Sequence, residues 1–264
     1  MESPNQNNDG EHLLEENNEK TSFDEANTTG NTSNMDQLYG EDFTRFLPSD
    51  FKRIKTSERT ALFSQRLFEL ILAKRIERYR FIEEIELNDG SFLEIVEFPE
   101  ETSKIFQDHF RDMDELLAQK KINGVSLIMF DCDNRTIFET YKFIIEVGDN
   151  RISEIKDYND KLITGLHFID APRKEIKSLL EMYRIVSEYC GEKEPIKKRS
   201  IVPLLRFHFL KKDYRKDYEK KLRDQPNSEY FRQNPLFGGK DNCELVFTRK
   251  RKRFSMAVVN NFIE

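Results

Sequence analysis

The sequence predicts an α+β protein in which an antiparallel sheet packs on about three helices, behind a disordered N-terminal tail. Three observations predict this. First, Val125 to Val147 reads VSLIMFDCDNRTIFETYKFIIEV, two apolar runs joined by a polar turn. Val125 to Phe130 is nearly continuous in apolar residues, as in a strand covered on both faces. Asp131, Asp133 and Asn134 tolerate the backbone angles of a tight turn. The return strand puts Tyr141, Phe143, Ile145 and Val147 on one face and Thr140, Lys142 and Glu146 on the other. Second, three other long segments carry apolar residues at helical spacing. Third, further strand signals flank these segments.

Charged residues make up 35% of the 264-residue chain, and they are unevenly spread. Residues 1–44 hold eleven acidic groups and one basic group, Lys20. Their net charge of about −10, against −6 for the whole chain, leaves residues 45–264 at about +4. The tail is rich in Asn, Glu, Asp, Ser and Thr. It has too little apolar surface to offset its ordering entropy, so it is expected to be disordered. Leu13-Leu14 and the sequons at Asn27 and Asn31 are read as chance patterns within it. Cys132, Cys190 and Cys243 form no CxxC or Cys/His pair, and an odd count without a signal sequence fits a reducing compartment. No run of eighteen apolar residues exists, so no membrane span is expected.

Order is expected from about Phe43–Phe51. Ser57 and Glu58 start a helix running to about Tyr79. Between Ala61 and Ile76 it is apolar nearly all round, the pattern of a helix inside a domain. Phe81–Leu87 and Phe92–Phe98 flank Asn88-Asp89-Gly90, a hairpin signal. Pro99, Glu100 and Glu101 open the next helix, with acidic groups at its positive end. Phe106, Phe110, Met113 and Leu117 repeat at helical spacing along it, with His109 beside them. After the central hairpin, residues 148–168 read as polar and irregular. A third helix is expected over about Ala171–Tyr189, capped by Asp170 with Pro172 in its first turn. Ile201–Leu210 reads as a strand with Leu205, Phe207 and Phe209 on one face and Leu204, Arg206 and His208 on the other. Pro203 confines it to a sheet edge or to its own start. His208 is expected at the surface. The remainder, 211–264, reads as a long irregular segment closed by two strands, Leu245–Phe247 and Phe254–Phe262, around the basic run Arg249, Lys250, Arg251, Lys252 and Arg253.

No phosphate loop, HExxH or GxSxG is present. Asp131 and Asp133 lie in a turn without the further oxygen ligands a calcium site needs. His109 and His208 lack spaced partners, so no metal, cofactor or catalytic group is assigned. The pattern is that of a binding protein and not an enzyme.

The order of elements and three stretches resemble the HORMA-domain family, its meiotic chromosome-axis branch most closely. FETYKFIIEV at 138–147 is similar to the family's second central strand, with an acidic residue before an aromatic–x–Phe pattern. RKEIKSLLEMYRIV at 173–186 is similar to its third helix. PIKKRSIVPLLRFHFLKKDYRKDY at 195–218 is similar to the axis branch's proline, basic residues, aromatic strand and Asp-Tyr. The resemblance covers roughly 57–264. It implies a HORMA-like domain over 45–264, whose C-terminal part, 211–264, is a "safety belt". The belt wraps a partner's extended closure-motif peptide, which adds a strand to the sheet. Ile201–Leu210 would receive the peptide through Leu205, Phe207 and Phe209, with belt residues Val246, Phe247, Met256 and Val258 near it. The resemblance further implies a role in meiotic axis assembly, synapsis and recombination in the nucleus, on chromosomes. It also implies an AAA+ remodelling ATPase as a partner, for which residues 1–44 would be the handle. Two departures stand. Residues 75–84 read RIERYRFIEE where the family has Arg-Gly-Ile-Phe-Pro, and the chain ends with the belt, so self-assembly through its own downstream motif is not expected. Two alternatives remain open. One is a spindle-checkpoint or translesion-repair adaptor of the same family. The other is a nucleic-acid binder using Arg249–Arg253 and Lys197–Arg199, with no membrane contact in either case.

Overall fold

The computed structural model describes residues 38–134, 136–165 and 175–224. Among them a five-stranded antiparallel sheet runs in the order β6-β5-β4-β3-β7. Its strands are β3 (Ile122–Asp131), β4 (Thr136–Glu146), β5 (Arg151–Lys156), β6 (Leu162–Gly165) and β7 (Ile201–Phe209). A separate hairpin pairs β1 (Ile82–Glu86) with β2 (Phe92–Val96). The α-helices are α1 (Thr56–Arg75), α2 (Glu100–Ala118), α3 (Glu175–Gly191) and α4 (Lys212–Asp224). This is an α+β fold.

The central hairpin forms as its pattern requires. Val125 opposes Phe143 and Leu127 opposes Tyr141. These side chains join Met129, Ile145, Ile152 and Ile155 on the face that meets the helices. Every residue of β3 from Gly124 to Asp131 is buried, which fits its unbroken apolar run. Gly124 is needed there: a Cβ would lie 2.6 Å from the Phe143 carbonyl oxygen and 3.0 Å from His208 Nδ1.

Helix α1 is buried on all sides, from Phe63 and Leu67 through Leu70, Ile71 and Leu72, and touches both α2 and α3. It stops at Arg75, four residues before the expected end, and a 3-10 turn, Glu77–Tyr79, comes next. Aromatic side chains fill the gaps around it: Phe68 meets Phe110 edge-on at 5.7 Å, and Phe46 meets Tyr183 at 4.7 Å. Gly90 takes a φ of 76° in the β1–β2 turn, as Asn88-Asp89-Gly90 predicts.

Three expectations are corrected. Residues 148–168 are not irregular throughout, because β5 and β6 lie within them. Ile152 and Ile155 face the core while Arg151, Ser153, Glu154 and Lys156 are half-exposed, so these short strands are polar and carry little apolar signal. The first part of 211–264 is also not irregular: Lys212–Asp224 forms α4. Part of the expected tail is structured as well. A 3-10 turn spans Glu41–Arg45, with Phe43 buried and stacked on Tyr39. The cap at Asp170 and Pro172 and both closing strands fall outside the described residues. No helix among the described residues is long and apolar enough to cross a membrane.

Candidate peptide-docking edge

β7 is an edge of the sheet as the described residues form it. Among the described residues it pairs only with β3, and at the opposite margin the four-residue β6 pairs only with β5. Nine residues long, β7 offers the larger row of backbone N–H and C=O groups unpaired among the described residues. Pro203 sits in this strand opposite Met129, and an edge tolerates its missing donor.

The approach to β7 is pinned in three places. Arg75, at the end of α1, reaches Glu139 on β4 through two hydrogen bonds, Nη2 to Oε1 at 2.7 Å and Nε to Oε2 at 3.1 Å. The two side chains are 5% and 8% exposed. Tyr141 Oη donates to the same carboxylate at 2.8 Å, and Arg75 Nη1 donates to the Glu194 carbonyl at 2.7 Å. Burial alone would lower the Arg75 value, but the Glu139 carboxylate outweighs it and raises it. Burial pushes the Tyr141 phenol far up, so it remains a donor. Arg78 donates to the Arg199 carbonyl, and to that of Ile201 at 2.5 Å. Finally, Asp131 gathers the central turn and the start of β7. It accepts from Lys198 Nζ at 2.5 Å, Ser200 Oγ at 2.9 Å and Asn134 Nδ2 at 2.7 Å. Burial would push its carboxyl up, but Lys198, Ser200 and the turn amides of Asn134 and Asp133 hold it at about 2. Asp131 is thus a tether, not half of an acid pair.

The two faces of β7 differ. Leu205 and Phe207 lie opposite Leu127 and Val125 on the core side, as the alternation predicts. Phe207 and Phe209 meet Tyr218 of α4, each at 5.6 Å. Tyr218 Oη donates to Asp112 Oδ2 on α2 at 3.0 Å. The three predicted peptide-contacting residues of β7 therefore lie together, but α4 covers Phe207 and Phe209. On the outer face, His208 is half-buried and not a plain surface residue: its Nε2 lies 2.7 Å from Ser126 Oγ. Burial first, then the charges of Arg206 and Lys142, push its value down to about 4, so it is neutral at pH 7. His109 is buried on α2 and pushed down to about 4 by burial, which fits a core residue.

Val246, Phe247, Met256, Val258 and the basic run Arg249–Arg253 lie outside the described residues. The contacts of Tyr218 with β7, and the placing of Tyr214 on the same helix, are not expected from the sequence reading of 211–264 as irregular. The signal for them was the repeat Lys-Asp-Tyr at 212–214 and 216–218, which puts two tyrosines on one helical face four residues apart. Among the described residues no group of three or more His, Cys, Asp or Glu is arranged to hold a metal ion.

No protein-family model matches the chain. No curated protein matches it either. Among solved structures it is similar to C. elegans HTP-2 bound to the HIM-3 closure motif, in two crystal forms. One shares 14% identity with a TM-score of 0.44, covering 64% of this chain and 76% of that one. The other shares 12% identity with a TM-score of 0.44, covering 65% and 77%.

Proposed function

We propose that this chain is a non-enzymatic adaptor of the HORMA type, which captures an extended closure-motif peptide by adding it to the edge of β7. The observation that carries this is the nine-residue margin of β7, unpaired among the described residues and pinned at its start by Arg75, Arg78 and Asp131. A fixed strand with an open row of backbone groups gives affinity through the main chain, and alternate side chains give selectivity. Leu205, Phe207 and Phe209 supply its apolar side. Residues 211–264 form the belt that closes over the peptide, with Val246, Phe247, Met256 and Val258 against it. Helix α4 is the belt's root. The sequence resemblance supports the meiotic chromosome axis as the setting, hence nucleus and chromosome. It also supports axis proteins as partners and a remodelling AAA+ ATPase that acts through the N-terminal tail.

The test is to titrate 12-residue peptides tiled across chromosome-axis proteins into the full chain and into a chain ending at Asp224. The full chain is expected to retain at least one peptide, with dissociation slowed at least tenfold by the belt. Equal dissociation from both chains would remove the belt from the mechanism.

A further inference from the structure

Tyrosines from three elements close around one ammonium group. Lys193, in the turn after α3, places its Nζ 4.2 Å from the ring centroid of Tyr189 on α3. The same atom is 4.9 Å from the centroid of Tyr158 in the β5–β6 turn and 5.6 Å from that of Tyr141 on β4. Each ring is within the roughly 6 Å over which a cation is drawn to an aromatic face. Carboxylates fix two of the rings: Tyr141 donates to Glu139 at 2.8 Å, and Tyr189 donates to Asp157. Asp157 in turn accepts from the amides of Asn159 at 2.9 Å and Lys161 at 3.0 Å, which shape the turn that carries Tyr158. Burial would raise the Asp157 carboxyl, but Tyr189, these amides and the charge of Lys193 hold it below its ordinary value. An anion therefore stands behind the rings at neutral pH. A second ammonium, that of the exposed Lys161, lies 5.7 Å from the Tyr189 centroid.

The occupant suits the cage poorly. An ammonium has three N–H donors and no acceptor, yet Lys193 Nζ is buried with no hydrogen-bond partner among the described residues. A buried donor left unmet forfeits the bonds it makes in water. Methylation keeps the charge, and trimethylation replaces all three donors with carbon, so a methylated ammonium loses nothing in the same place. Tyr141 is fully buried, Tyr189 half-buried and Tyr158 49% exposed, so the mouth of the cage lies on the Tyr158 side. Glu192 and Glu194, on either side of Lys193, are exposed. The flexible lysine stem can turn out to water while the backbone stays held by Lys193 N to the Cys190 carbonyl at 3.3 Å and Ile196 N to the Arg75 carbonyl at 2.6 Å.

We infer that Tyr141, Tyr158 and Tyr189 form a binding site for a methylated lysine of a partner protein, with Lys193 as the built-in occupant that the incoming side chain displaces. The exchange is favourable because Lys193 regains its hydrogen bonds in water while the trimethylated group gives up none. Because a lysine already fills the space, its shape fits a lysine stem. The site does not depend on strand addition to β7.

The test titrates the full chain with ten-residue Gly-Ser peptides carrying one central lysine. That lysine is unmodified, trimethylated, or replaced by its neutral tert-butyl analogue. Phosphocholine is the fourth probe. The trimethylated peptide is expected to bind tighter than the unmodified one by on the order of tenfold, and tighter than the neutral analogue, which lacks the charge the rings attract. Lys193→Ala removes the competing ammonium and should tighten the trimethylated peptide by a further factor on the order of tenfold. Tyr158→Ala, at the exposed ring, should weaken the preference for methyl groups. Equal binding of the unmodified and trimethylated peptides, or binding of neither, would overturn the site, and this comparison on the unaltered chain decides without any variant. Binding by Lys193→Ala alone would make Lys193 a fixed part of the core and overturn its displacement. An affinity unchanged in Lys193→Ala would place the peptide elsewhere. Phosphocholine bound tighter than the trimethylated peptide would make the ligand a lipid headgroup, and the lysine assignment falls. Methyl groups found on Lys193 itself, by peptide mass spectrometry of the protein isolated from the cells that make it, would make the occupant internal and remove the partner.

Discussion

Helices α1 and α4 are made on opposite terms. Helix α1 is buried on every side and knitted to α2, α3 and, through Arg75 and Glu139, to the central strand β4. Helix α4 is thirteen residues long and dense in charge, and Tyr218 holds it to β7 and α2. A helix of that length is marginal in water without tertiary support. The contrast locates where the molecule can change. Opening free energies within one protein run from near zero to the global value, and segments that exchange partners come from the low end. By that measure α4 is expected toward the low end, while α1, β3 and the pinned β7 form the frame.

The largest effect is expected at the rigid helix. Glu139→Ala leaves the Arg75 guanidinium buried without its carboxylate, and removing one member of a buried pair costs roughly 3–5 kcal/mol. Chemical denaturation should show that loss as a lower midpoint at unchanged slope, and an effect under about 1 kcal/mol would deny the pair its role. Leu70→Ala, a cavity in the middle of α1, is expected to lose about 2–5 kcal/mol by the same measurement.

At the yielding helix the effect should be local. Tyr218→Ala removes ring contacts to Phe207 and Phe209 and the bond to Asp112. Hydrogen exchange in α4 should accelerate at least tenfold, with global stability changed by only about 1 kcal/mol. A global loss as large as that of Glu139→Ala would erase the distinction between the two helices.

How much of this the sequence carried depends on how each element is held. The central hairpin, β1–β2, the all-round burial of α1 and the two faces of β7 derive from apolar period, and the structure bears them out. β5 and β6 lie toward the sheet's margin, where few side chains must be apolar, so polar composition read as loop. The helical state of 212–224 was hidden for a related reason. Its apolar content is two tyrosines and a leucine, and only the tyrosines' spacing of four betrays a helix. On β7, alternation puts Leu205, Phe207 and Phe209 on one face, and the pairing and ring contacts agree; a role toward a peptide comes only from the resemblance. What no local pattern reveals is long-range pairing: Arg75 with Glu139, Asp131 with Lys198, and Tyr218 with Asp112.

The smallest expected effect concerns pH. The Asp131 carboxyl sits at about 2 in the folded protein, below its ordinary value. A value lowered on folding contributes stability above the ordinary carboxylate range, and that contribution fades as pH falls through about 2. Amide exchange at Asp133 and Asn134 should therefore quicken between about pH 4 and pH 2, and Asp131→Asn should flatten the dependence. An unchanged profile in that variant would detach Asp131 from the start of β7.

Capture at β7 is tested most directly by residue-resolved hydrogen exchange on the full chain, with and without a retained peptide. If a strand adds to β7, outward-facing amides between Val202 and His208 should slow by at least tenfold on binding, while those of β6 stay as they were. Protection confined to β6, or absent from β7 despite tight binding, would contradict capture at this edge.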